Sequence, residues 1–209
     1  MAQLSYFNDK EIIFNWDKSC LINKLNQTGE RKEIYRYSHP SLETAALITN
    51  DLLVLGRNTY YGGNNSVSIV NITTGESLYM EDDREIITQF LPVDGEDRFF
   101  SLGFKKISGI NHALIREHWI ENARVFSRDI YSYIEEINDQ SRLSSGGEEN
   151  LYLIKNNGSW LKFSGQDIQE APLAALGKII AHRGYLYFLA PDHTMIIMKE
   201  EDLKPLAKV

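Results

Sequence analysis

The sequence predicts an all-β fold made of five repeats of one four-stranded unit. Three observations carry that expectation. Apolar, β-branched or aromatic segments of strand length recur along the chain, each bounded by a polar turn. The tripeptide Thr-Gly-Glu stands twice between such segments, at Thr28-Gly29-Glu30 and Thr74-Gly75-Glu76, about 46 positions apart. The 209 residues then divide into five units of about 35 to 50 residues, roughly the length of one four-stranded repeat.

Each unit opens on a short apolar strand. These are Leu4-Ser5-Tyr6-Phe7, Ala45-Ala46-Leu47-Ile48, Ile86-Ile87-Thr88-Gln89-Phe90-Leu91 and Lys178-Ile179-Ile180-Ala181, with no counterpart picked out in the fourth unit. A polar turn follows, at Asn8-Asp9-Lys10, Asn50-Asp51, Gly95-Glu96-Asp97, Gly147-Glu148-Glu149-Asn150 and His182-Arg183-Gly184. Next comes the most apolar segment: Glu11-Ile12-Ile13-Phe14, Leu52-Leu53-Val54-Leu55, Arg98 to Leu102, Leu151-Tyr152-Leu153-Ile154, and Tyr185 to Leu189. A variable loop and a third strand lead to the last turn. Gly29 and Gly75 supply the positive φ a tight hairpin wants, and Glu121-Asn122, Ser164-Gly165-Gln166-Asp167 and Glu200-Glu201-Asp202 take the same place later. The units run roughly over 1–43, 44–84, 85–139, 140–176 and 177–209, and the chain reads as a single domain.

In strand order and unit length the repeat resembles the blade of a β-propeller, of the WD40 and quinoprotein-like kind, over nearly the whole chain. The resemblance implies a five-bladed β-propeller-like array of antiparallel sheets. It departs from the WD40 pattern at the motifs. Trp16-Asp17 falls in a loop after a buried strand rather than at a strand end, no Gly-His opener occurs, and Trp16, Trp119 and Trp160 keep no common register. A competing expectation is an α+β fold with a long amphipathic helix around 110–139, where Ile115, Trp119, Ala123, Phe126, Ile130, Ile134 and Ile137 step by three or four without an intervening Gly or Pro.

Composition narrows the function classes. With 22 Lys+Arg against 29 Asp+Glu the net charge is −7, and no basic run is present, which argues against nucleic-acid binding. No apolar run approaches the roughly 20 residues of a membrane span, and the first residues lack the basic and apolar regions of a leader. Cys20 alone makes neither a disulfide framework nor a thiolate metal cluster, so a cytoplasmic location is expected. The Asn-x-Ser/Thr triplets at Asn26, Asn64, Asn71 and Asn157 are then expected to be chance matches.

No residue pattern announces catalysis or a cofactor. The five histidines show no zinc-binding spacing, Gly146-Gly147 lacks the Lys-Ser/Thr of a phosphate loop, and Glu81-Asp82-Asp83 lacks the alternating ligand spacing of a calcium loop. Asp192-His193 reads as a hydrogen-bonded turn. In the propellers this chain resembles, the usual binding face carries the loops after the second and fourth strands of each blade. Mapped here, that implies Trp16, Asp17 and Lys18, then Arg57, Asn58, Tyr60, Tyr61 and Asn64, then Lys105 and Lys106, then Asn156, Asn157, Asp192 and His193. The stretch from Arg57 to Asn65 is the most unusual, joining a guanidinium, two aromatic rings and two glycines, types common at interaction hot spots.

The first functional expectation is a non-catalytic protein-binding propeller, an inhibitor or immunity-type protein for a basic partner drawn by the acidic chain. A second is a small-ligand or carbohydrate-binding module stacking sugars on Trp16, Tyr60, Tyr61 or Trp119. A third follows from the five-bladed glycosidases that the resemblance includes, with Glu43, Glu85 and Asp139 as channel carboxylates.

Overall fold

The computed structural model describes residues 3–15, 17–59, 66–78, 80, 83–93, 96–133, 141–146, 150–155, 158–164, 167–170, 178–190 and 192–208. Among them the secondary structure is all strand, arranged as five four-stranded antiparallel sheets, each a simple meander. The first sheet holds β1 (Gln3–Phe7), β2 (Lys10–Phe14), β3 (Ser19–Leu25) and β4 (Arg31–Ser38). The second holds β5 (Leu42–Leu47), β6 (Leu52–Arg57), β7 (Val67–Asn71) and β8 (Ser77–Leu78). The third holds β9 (Ile86–Pro92), β10 (Arg98–Ile107), β11 (Ile110–Glu121) and β12 (Arg124–Tyr133). The fourth holds β13 (Arg142–Ser145), β14 (Leu151–Ile154), β15 (Trp160–Ser164) and β16 (Asp167–Glu170), and the fifth β17 (Lys178–His182), β18 (Tyr185–Leu189), β19 (Met195–Lys199) and β20 (Pro205–Lys208). This is an all-β, propeller-like fold.

The helix expected around 110–139 is not formed. Residues 110–133 are the hairpin of β11 and β12, closed by Asn122 and Ala123 at φ 52° and 57°. Two consecutive left-handed residues match the right-handed twist of the strands they join, so the turn is tight without glycine. Trp119 faces Phe126 across the hairpin, their rings stacked at 5.8 Å, and a bulge at Ile115/Arg116 shifts the register. The three-to-four spacing that imitates a helix runs along two strands and their turn: the four-residue step from Ile115 to Trp119 keeps one face of β11, as an even step along a strand does, and Ala123 lies in the turn. Residues 134–139 of that stretch lie outside the described residues.

The Thr-Gly-Glu turns are where the repeat places them. Gly29 and Gly75 have φ of 80° and 75°, the β3–β4 and β7–β8 turns they close being tied by Gly29 N–H to Asn26 O and Gly75 N–H to Asn71 O.

The chain divides into two compact units, Met1–Tyr133 and Ile134–Val209. In the first, β6 is buried on both faces. Leu53 and Leu55 join Ile12, Cys20, Ile22, Leu42 and Leu47 between the first and second sheets, while Val54 joins Ile69, Met80, Ile87, Phe90 and Phe99 between the second and third. That is the alternation of a central strand read through two cores. Cys20 is fully buried and unpaired, and loss of solvent pushes its thiol up to about 12. In the second unit one core joins the fourth and fifth sheets. Trp160 is fully buried there and stacks on Phe188 at 5.3 Å, with Tyr152, Leu186 and Met198 around it. Burying a ring of that size contributes on the order of 4 to 6 kcal/mol of transfer free energy.

Candidate functional site

In a four-stranded meander the connections after the second and fourth strands lie at the same edge of the sheet. In the first unit this edge is organised by the segment 83–86, which runs into β9. Its residues alternate: Arg84 is 1% exposed, while the carboxylates of Asp83 and Glu85 meet the third sheet. Lys105 Nζ lies 2.5 Å and Arg116 Nη1 2.7 Å from the Asp83 carboxylate, and Arg116 Nε reaches Asp129 at 2.5 Å. The Lys105 ammonium, with Arg116 second, holds the Asp83 carboxyl at about 2. Glu85 accepts from the Lys106 backbone N–H at 3.2 Å. The second sheet joins the same segment, because Thr59 N–H donates to Glu85 O at 2.7 Å and Asn58 pairs with Ile86. Lys18 closes the row in an ion pair with Glu43 at 2.8 Å.

Asn58, Lys105 and Lys106 are thus brought together around one short segment, with Arg57 next to Asn58 in the chain, and Arg57, Lys105 and Lys106 belong to strands rather than to free loops. Arg57 ends β6, is half-buried, and donates from Nη2 to Tyr37 Oη and to Ser68 Oγ, both at 2.9 Å. Its guanidinium sits 5.8 Å from the centre of the Tyr37 ring. It ties the first sheet to the second and offers little of its fork to a partner. Trp16, Tyr60, Tyr61 and Asn64 lie outside the described residues, as do Asn156, Asn157, Asp139, Glu81 and Asp82. His193 belongs to the second unit, in the turn between β18 and β19. It has φ 67°, its N–H donates to Ala190 O, and the neighbouring Asp192 carboxylate accepts from Thr194 N–H, holding its pKa low. Trp119 is stacked on Phe126, so that face of its ring is occupied.

The structure also shows polar groups that the linear pattern hides. Ser101 and His118, both 0% exposed, approach within 2.6 Å at Oγ and Nε2, and His118 Nδ1 lies 2.7 Å from Ser127 Oγ. Arg84 Nη2 donates to Ser101 Oγ at 2.8 Å. With the Ser101 hydroxyl donating to Nε2 and Nδ1–H to Ser127, this chain of hydrogen bonds is satisfied. A serine bonded to a histidine is the arrangement of an activated nucleophile. Here it is sealed in the core with His118 stacked on Phe99 at 4.6 Å, so it braces β10, β11 and β12. Glu11 and Glu117 are likewise buried on central strands. Arg31 grips Glu11 with two bonds of 2.7 and 2.8 Å, and Arg98 and Arg128 hold Glu117. Not all of the acidity therefore sits in solvated turns. Among the described residues no group of three or more His, Cys, Asp or Glu is placed to hold a metal ion, and no helix is long and apolar enough to cross a membrane.

No family model matches the chain, and no curated protein matches it. Solved structures match it extensively. The WD40 domain of SCAP from fission yeast aligns with a TM-score of 0.66 at 10% identity, over 99% of this chain and 51% of that one. Apo AztD from Citrobacter koseri aligns with a TM-score of 0.64 at 10% identity, over 99% of this chain and 57% of that one. The computationally designed Ika8 protein aligns with a TM-score of 0.61 at 14% identity, over 98% and 60%. The likeness is one of fold, and the chain spans little more than half the length of these proteins.

Proposed function

We propose that the protein is a non-catalytic binding protein that engages a protein partner through the edge of its first unit carrying Lys18, Asn58, Lys105 and Lys106. The observation that supports this reading most is the organisation of that edge. Charged side chains are held by ion pairs on strand ends and on one braced segment, and a rigid platform lowers the ordering cost of association. The likeness to a WD40 domain supports protein interaction in general. A basic partner is favoured by the net charge of −7, and a cytoplasmic setting by one buried, unpaired cysteine.

Photo-crosslinkers placed at Lys106 and, on the opposite edge, at Thr28 test the assignment in the native host extract. A discrete adduct is expected from position 106, weakened by raised salt. Equal labelling from both positions would remove this edge as the binding surface.

A further inference from the structure

The opposite edge of the first unit, where the first and second strands of each sheet are joined, carries a cleft of about 670 Å³. That volume suits a small molecule or one long side chain. Its apolar lining comes from Phe7 and the exposed Tyr6, with the buried Ile48. The rim is polar: Asn8 and Asn50 stand on one side, their amides bonded at 3.0 Å, with Glu96 and Asp97 at the start of β10. Among the described residues no lysine or arginine lines it.

Two cations stand beside the rim, and both are engaged. Lys10, 9% exposed, donates to Asn50 Oδ1 at 3.3 Å and to Asp9 at 3.5 Å. Arg98 lies 2.7 Å from Glu96 but also 2.9 Å from the buried Glu117, which takes Arg128 as well. Arg98 and Arg128 therefore balance Glu96 and Glu117, leaving Asp97 with no ion-pair partner among the described residues.

From this combination, apolar and aromatic side chains beside a carboxylate with no ion-pair partner among the described residues, we infer that the cleft is a binding site for an aliphatic cation. The ligand class is a guanidinium or primary ammonium on a short hydrocarbon stem, the chemistry of an arginine or lysine side chain. The stem lies against Phe7 and Tyr6, and the head donates to Asp97 and Glu96. This site is separate from the edge invoked under Proposed function, so either can fail alone.

The test is calorimetric titration of the full chain with agmatine, with an acetylated and amidated Gly-Arg-Gly peptide, and with neutral pentanamide. Saturable binding of at least one cation, none of pentanamide, and weakening by about tenfold or more in Asp97→Asn is expected, with salt acting in the same direction. Agmatine alone binding assigns the site to a free amine; the peptide binding at least as well assigns it to a displayed arginine. Asp97 is exposed, and an unchanged melting temperature verifies that the variant folds. Absence of saturable cation binding up to about 10 mM, or equal affinity in Asp97→Asn, overturns the proposal.

Discussion

Asp83 is the residue through which pH should act on the charged edge. Its carboxyl falls from 3.8 to about 2 because Lys105 and Arg116 favour the ionised form. A depressed folded-state value means stabilisation that is complete above the unfolded value near 3.8 and is lost as pH falls toward 2. Asp83→Asn should therefore lower the urea midpoint at pH 6 and flatten its decline between about pH 4 and 2; a decline as steep as in the parent would show that the pair contributes nothing. The effect is modest, since half of the Asp83 side chain faces solvent. Arg57 is expected to behave as a structural residue. Arg57→Ala should cost about 1 to 3 kcal/mol in denaturant unfolding, because Tyr37 and Ser68 lose a shared donor and the intersheet stacking goes. The side chain was visible in the sequence as unusual. Its role was not, because the hydroxyls it reaches come from β4 and β7, 20 and 11 positions away.

At the scale of elements, Gly103 shows how a strand is fixed by what touches it. A Cβ there would meet Ile87 Cδ1 at 2.6 Å and the Ile86 carbonyl oxygen at 2.8 Å, just where the β9–β10 register shifts between Leu102 and Gly103. Backbone cannot yield as a side-chain tip can, so Gly103→Ala should cost about 1 to 3 kcal/mol and speed amide exchange along β9. Normal exchange in β9 would show that the bulge absorbs the methyl. The order of strands and turns was legible because hairpin meanders pair neighbours in sequence. The β11–β12 hairpin was ambiguous for two physical reasons. Its turn uses Asn122 and Ala123 in place of glycine, and Ala113, Leu114 and Ile115 are all buried, so the period-two signal of a half-exposed strand is absent. The cleft was missed because the turns containing Asn8, Asn50 and Asp97 were seen one at a time, whereas their meeting depends on sheet packing.

For the molecule as a whole, far-UV circular dichroism should show a β spectrum without the paired minima of a helix of about 30 residues. The two compact units have cores that share no residue: Trp160 and Phe188 anchor one, Leu53, Val54 and Phe99 the other. Trp160→Ala should cost about 3 to 5 kcal/mol. Hydrogen exchange should report the loss in β14, β15, β18 and β19, with β6 and β10 keeping their protection. Uniform loss across all five sheets would show that the units unfold as one.

Cys20 has a practical consequence. Its thiol is shut between two sheets and, with its pKa near 12, almost entirely protonated at neutral pH, so it should ignore maleimides that react with thiolates on the surface. A single cysteine introduced at Thr49 or at Lys106 can then carry a fluorophore with the native cysteine left in place. Each edge of the first unit becomes separately reportable in an otherwise unaltered protein.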